Sequence, residues 1–154
     1  MAYRIEGLDA EPFAVLFDLG DAELAARNAR RVHADSSTGY PCRVSLEEAA
    51  AGEELLLVNH VSNDVPTPFR ASHAIYVRKQ AETARYVNEV PPLFASRTLS
   101  LRGFDAEGML RGGVLAMPGE ADTQIRALFE EAEIDAIHVH SAAYGCFLAR
   151  IERN

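Results

Sequence analysis

Between Thr98 and Phe104 apolar and polar residues take strict turns. Leu99 and Leu101 fall on one side of an extended chain, Thr98, Ser100 and Arg102 on the other. HAIYVRK repeats the pattern, with Ile75 and Val77 opposed to Tyr76 and Arg78. So does IHVH, where Ile137 and Val139 alternate with His138 and His140. ELLLVNHV differs: it is too short and too uniformly apolar for an amphipathic helix, and reads as a strand buried on both faces. Asp105 to Gly108 reads as a hairpin turn leading into MLRGGVLAM. The pattern predicts strands near 54–61, 72–78, 98–104, 109–116, 135–140 and 146–152.

Helical spacing is rarer. Its best instance is about 121–132, where Ile125, Leu128, Phe129 and Ala132 line one face. Shorter helices are expected at 21–27, capped by Asp21, and after Ser45, where Ser45-Leu-Glu-Glu48 matches a capping box that Gly52 would end. A short segment before the Pro91-Pro92 break also reads as helical. Strands outnumber helices, and most connections are too short for a parallel crossover. The expected class is α+β: a mainly antiparallel, curved sheet with one amphipathic helix and a few short ones. No internal repeat, low-complexity tract or long linker divides the chain, so residues 1–154 are read as one domain.

Composition narrows the function classes. Hydrophobic residues at 48% and charged residues at 25% match a globular protein rather than a disordered one. The net charge of −8, without any basic run, argues against nucleic-acid partners, which need a cationic surface. An anionic membrane surface is disfavoured for the same reason. LLLV (Leu55 to Val58) is far too short to span a bilayer, and acidic residues stand where a signal peptide would be basic and apolar. The cytoplasm is therefore the expected compartment. There Cys42 and Cys146 are expected as thiols, and they lie too far apart for a CxxC motif. Fourteen of the fifteen basic residues are arginine. A GC-rich genome gives that bias, and so does selection for bidentate contacts to carboxylate or phosphate.

The candidate chemistry lies in IHVHSAAYGCFLARIER. His138 and His140 share a strand face; a regular hairpin with a loop over residues 141–145 would set His140 opposite Cys146, with Leu148 and Arg150 on the same face. Three chemistries fit. Two imidazoles and a thiolate suit zinc, although no fourth ligand is dictated among His60, His73 and Asp105. Cys146 beside a histidine suits a nucleophile. Arginines on neighbouring polar faces, namely Arg43, Arg78, Arg102 and Arg150 with Tyr76 and Cys42 nearby, suit an anionic small molecule, with a histidine exchanging a proton near neutral pH. A buried thiol and satisfied histidines are the plain structural alternative. The anion pocket, with no cofactor, no stoichiometric metal and slow thiol labelling, is the reading preferred from sequence. A non-catalytic homodimer is its rival.

The runs PCRVSLEEAAAGEELLLVNH, IYVR, RTLSLRGFD and IHVHSAAYGCFLARIER, in that order, resemble the bacterial domain-of-unknown-function family numbered 1203 over about residues 40 to 153. The resemblance implies no activity. The family's recurring polar positions map onto Cys42, Arg43, Arg78, Arg102, Asp105, His138, His140, Cys146 and Arg150.

Overall fold

The alternation of TLSLRGF is realised inside a six-stranded sheet in the computed structural model, which describes residues 1–154. Strands β1 (Tyr3–Glu6), β5 (Arg85–Val87), β6 (Leu99–Phe104), β7 (Leu110–Ala116), β8 (Ala136–Ser141) and β9 (Phe147–Arg153) lie in the order β5-β1-β9-β8-β6-β7. Every neighbouring pair is antiparallel, as short connections require. β5 and β7 are free edges, so the sheet is open and not a barrel. Its apolar face carries Leu99, Leu101, Ile137, Val139 and Ile151 against α3 (Pro92–Ala95) and α4 (Ala121–Phe129). α4 contributes Ile125, Leu128 and Phe129, each worth about 1.5–3 kcal/mol when fully buried.

A second antiparallel sheet joins β2 (Ala29–His33), β3 (Glu54–Asn63) and β4 (Ala71–Arg78) in that order. Leu56, Val58, Ile75 and Val77 on one face pack against Phe13 of α1 (Glu11–Ala14), Phe17 of the 3-10 turn after it, and Leu24 of α2 (Asp21–Ala26). Further along the same face stand His60 and His73, which are cross-strand partners. These two turn toward the polar face of the larger sheet, where His73 meets His140 and His60 meets Phe147. The fold is therefore α+β with two antiparallel sheets, and the polar residues gather where the sheets meet.

The segment around residues 41–44 links the two. Cys42 bridges Tyr76 in parallel, Arg43 N–H donates to the Tyr76 carbonyl at 3.0 Å, and Leu8 N–H donates to the Arg43 carbonyl at 2.8 Å. Gly7 permits this approach, because a Cβ there would sit 1.8 Å from the Val44 carbonyl oxygen. No helix in the protein is long and apolar enough to cross a membrane.

Several local expectations give way to tertiary packing. Residues 45–52 form turns rather than a capped helix: Leu46 adopts φ 53° and is fully buried in the main core, a placement a helix would not give it. Glu48 accepts from Tyr40 N–H at 2.9 Å and pairs with Arg97 instead of closing a capping box. Gly20, not Asp21, is the cap of α2, and Glu23 reaches back to its N–H at 3.4 Å. The segment before Pro91 holds strand β5, and the helix follows with Pro92 in its first turn, where a missing N–H costs nothing. α4 stops at Phe129, leaving Ala132 exposed. Arg153 donates there to the carbonyls of Phe129, Glu131 and Ile134, satisfying groups that a longer helix would have used.

Candidate functional site

Strand β8 sets His138 and His140 on the polar face of the six-stranded sheet. In β6, Ser100 lies opposite His140 and Arg102 opposite His138, so all four share that face. On the other flank His138 faces Arg150 across β9. The register then shifts between Val139 and His140, and Phe147 takes the place opposite His140 that a regular hairpin would give Cys146. The reason is a bulge: one extra residue in β9 turns Leu148 to the apolar face, where it joins the core. Leu148 is therefore not on the histidine face. Cys146 moves to the end of the loop.

The bulge places an aromatic ring among the imidazoles. Phe147 lies 5.7 Å from His138, 5.8 Å from His140 and 6.2 Å from His60, centroid to centroid. Phe104 covers His138 from the opposite flank at 4.7 Å, and His73 meets His140 edge-on at 4.9 Å. Three of the five histidines thus surround one phenylalanine, and a fourth, His73, joins them through His140. His60 and His73 come from a separate sheet, and their same-face pairing across β3 and β4 depends on a register that residue types alone do not reveal.

Hydrogen bonds settle two tautomers. His140 Nδ1 lies 2.8 Å from the Gly145 carbonyl oxygen, which only accepts, so Nδ1 carries the proton and Nε2 is bare. Arg150 Nη1 lies 3.3 Å from His138 Nε2; a guanidinium only donates, so Nε2 is the acceptor there. Ser62 Oγ pairs with His73 Nδ1 at 2.6 Å. His138 and His140 are 2% and 3% exposed, and solvent reaches the group through the half-buried Arg102, Ser100 and His73. Burial, with Arg150, His140 and Arg102 nearby, pulls the His138 imidazole down to about 3. Burial likewise pulls His140 to about 4, opposed by its bond to the Gly145 carbonyl and helped by Arg102 and His73. His60 and His73 are lowered chiefly by burial as well. All four are neutral at pH 7, which removes the expectation of proton exchange near neutrality by His138 or His140 in the unliganded protein.

The arginines divide sharply. Arg102 makes no ion pair and touches only its neighbour's hydroxyl, Ser100 Oγ, at 3.3 Å. Arg43 is 2% exposed and also lacks a carboxylate. Its Nε donates to the Phe147 carbonyl at 2.8 Å, Nη1 to the Pro41 carbonyl at 2.6 Å, and Nη2 to Cys146 Sγ at 3.3 Å. Arg150 is neutralised by Glu152 at 2.8 Å. Arg78 belongs elsewhere. With Tyr76 it occupies the face of β4 away from the histidines, held by Glu53 and, at 3.0 Å, by Glu47. Tyr76 stacks on Tyr40 at 5.1 Å. These two do not converge with His138 and His140, because strand alternation sends them to the opposite side. Cys42 is fully buried, and its Sγ accepts from the backbone N–H groups of Ser45 and Arg78. Asp105 is occupied by Arg111 and by the N–H groups of its own turn. No three His, Cys, Asp or Glu side chains are disposed to hold one metal ion.

Two surface depressions lie outside this group and include neither His138 nor His140. The larger, about 530 Å³, is lined by Arg78, Lys79, Glu82, Arg85 and Tyr86 among others. A smaller cleft of about 200 Å³ lies beside Arg150, between Arg4, Glu6, Asp9 and Glu152. No curated protein and no solved structure matches this chain. The family described as Protein of unknown function (DUF1203) matches residues 39–153, a span that holds every histidine, arginine and cysteine of the site just described. The chain belongs to that family.

Proposed function

We propose that the polar face of β6 and β8 binds a small anion, a carboxylate or phosphate, through Arg102, with His73 and His140 as its further contacts. One observation carries this reading: in a protein of net charge −8, two arginines and four imidazoles meet without a carboxylate among them that contacts any imidazole or either unpaired guanidinium. Burying cationic groups without a counter-charge is costly, and an anion supplied from solution offsets that cost. Arg102 is the half-buried member with free N–H groups to offer it. His140 contributes only by taking a proton on Nε2, since its Nδ1 proton is committed to Gly145. Binding therefore draws a proton onto the site, and affinity rises as pH falls below 7. Any acid–base chemistry by His140 belongs to this liganded state.

Thermal unfolding in phosphate and in succinate, against chloride of matched ionic strength, tests the reading. A site filled a hundredfold above its Kd adds about 2.7 kcal/mol. The increment is expected to disappear in Arg102→Ala and to persist in Arg78→Ala, whose side chain lies on the far face. Histidine ring resonances that ignore both anions would sink the proposal.

A second reading, self-association, rests on the free edge of β7. Leu115 and Met117 there are 58% and 51% exposed, and no proline or inward charge blocks pairing with a second copy. We place the protein in the cytoplasm, a compartment that keeps two free cysteines reduced.

A further inference from the structure

Arg43 is the most confined charge in the molecule. At 2% exposure its guanidinium cannot shed a proton to relieve burial, because arginine stays charged in proteins. Its acceptors are two carbonyl oxygens and one sulfur, Cys146 Sγ at 3.3 Å. A guanidinium carries five N–H groups, and these three bonds leave two without an acceptor. Of the three acceptors only the sulfur can take on negative charge. Cys146 Sγ is thus the one group beside this unneutralised charge that can become an anion.

The sulfur is held rather than loose. Ser141 N–H donates to the Cys146 carbonyl at 2.9 Å, and Gly145 N–H donates to the Ser141 carbonyl at 2.9 Å. Gly145 turns the chain with φ 75°, and its own carbonyl is fixed by His140. Cys146 is half-buried, with the solvent side open and the guanidinium behind it. The other cysteine is a built-in comparison. Cys42 is fully buried, and its sulfur accepts hydrogen bonds from backbone N–H groups and from no guanidinium.

We infer that Cys146 is a nucleophilic thiol, with Arg43 as its charge partner, and that it reacts with small hydroperoxides. The sulfur attacks one peroxide oxygen, an S–O bond forms and the O–O bond breaks. The departing hydroxide, or the alkoxide of an organic hydroperoxide, takes the thiol proton and leaves as water or an alcohol. The sulfur is oxidised by two electrons to sulfenic acid, and the peroxide is reduced by the same two. Arg43 Nη2, already donating to the sulfur, offsets negative charge there as the thiol proton leaves. A hydroperoxide fits because it is small enough to reach a half-buried sulfur and carries no charge to be desolvated. This site shares Arg43 with the anion reading but needs neither Arg102 nor a bound anion, and it predicts fast labelling of Cys146 where the sequence-based expectation is slow labelling.

The test treats native protein with hydrogen peroxide at pH 7, traps sulfenic acid with dimedone and maps the adduct by mass spectrometry. Cys146 is expected to carry the adduct and Cys42 to carry none. Its rate should exceed that of the same residue in urea-unfolded chain by about tenfold or more, the effect of one hydrogen bond to a charged group. Arg43→Met is expected to lose that advantage and Arg43→Lys to keep part of it. Native Cys146 reacting no faster than unfolded chain overturns the inference, as does a folded Arg43→Met with an unchanged rate. Should Arg43→Met fail to fold, the native-against-unfolded comparison decides alone.

Discussion

His138 and His140 spend the neutral range uncharged, and that state has a consequence for stability. In the unfolded chain a histidine takes its proton near pH 6.5, whereas in the folded protein these two wait until about 3 and about 4. Between those limits the unfolded state binds more protons, so stability is complete above pH 6.5 and declines as pH falls. The loss reaches up to about 2 kcal/mol per histidine at pH 5, at about 1.4 kcal/mol for each pH unit. Urea unfolding at pH 7.5 and pH 5 should therefore show a steep drop in the native sequence. His138→Gln should be less stable than the parent at pH 7.5, having lost its ring contacts with Phe104 and Phe147, but should lose less between the two pH values. Equal losses in both proteins would mean that His138 is not held neutral by its surroundings.

At the scale of the element, the bulge in β9 decides what the terminal hairpin does. It inserts Phe147 among His138, His140 and His60 and brings its carbonyl to Arg43, so one residue joins the aromatic cluster to the buried guanidinium. Phe147→Ala removes the ring while leaving the carbonyl. A cost of about 3–5 kcal/mol is expected from the cavity, read as a lower urea midpoint with an unchanged slope. The His138 and His140 ring resonances should lose the ring-current shift that Phe147 imposes. A cost below 1 kcal/mol would show that the sheets close over the gap, in the way core sites that collapse do.

For the molecule as a whole, two open edges set its association. β5 is short, with three residues, and its Arg85 pairs with Glu6 of β1 at the surface. β7 is longer and exposes Leu110 and Leu115, with Met117 exposed just past its end. If a second copy adds to this edge, light scattering reports twice the 16.8 kDa of one chain, and Leu115→Lys returns it to one. A native protein that stays at one chain mass at high concentration ends the self-association reading. It leaves the anion site untouched, since Arg102 and His73 need no partner copy.

Six of the nine strands, the inward faces of β4, β6 and β8, and the one amphipathic helix were legible in the order of residues, because a two-residue or 3.6-residue period is a local property of the chain. The same alternation put Ser100, Arg102, His138 and His140 on polar faces. It did not say which distant faces would meet. Arg78 and Tyr76 have the same polar alternation as Arg102, yet they lie on the outside of β4, because Ile75 and Val77 claim the inner face for the second core. Ser45 to Glu48 carries a sound local helix signal, and burial of Leu46 overrides it. Cys146 looked like the partner of His140 until Leu148 was drawn into the core, shifting the register by one and handing the sulfur to Arg43. His60 and His73 joined the group only through the packing of one sheet on another. The periods come from short-range geometry and survive any tertiary context. Register, bulges and the charge state of the histidines are set by what is buried against what, and apolar residues far along the chain decide that.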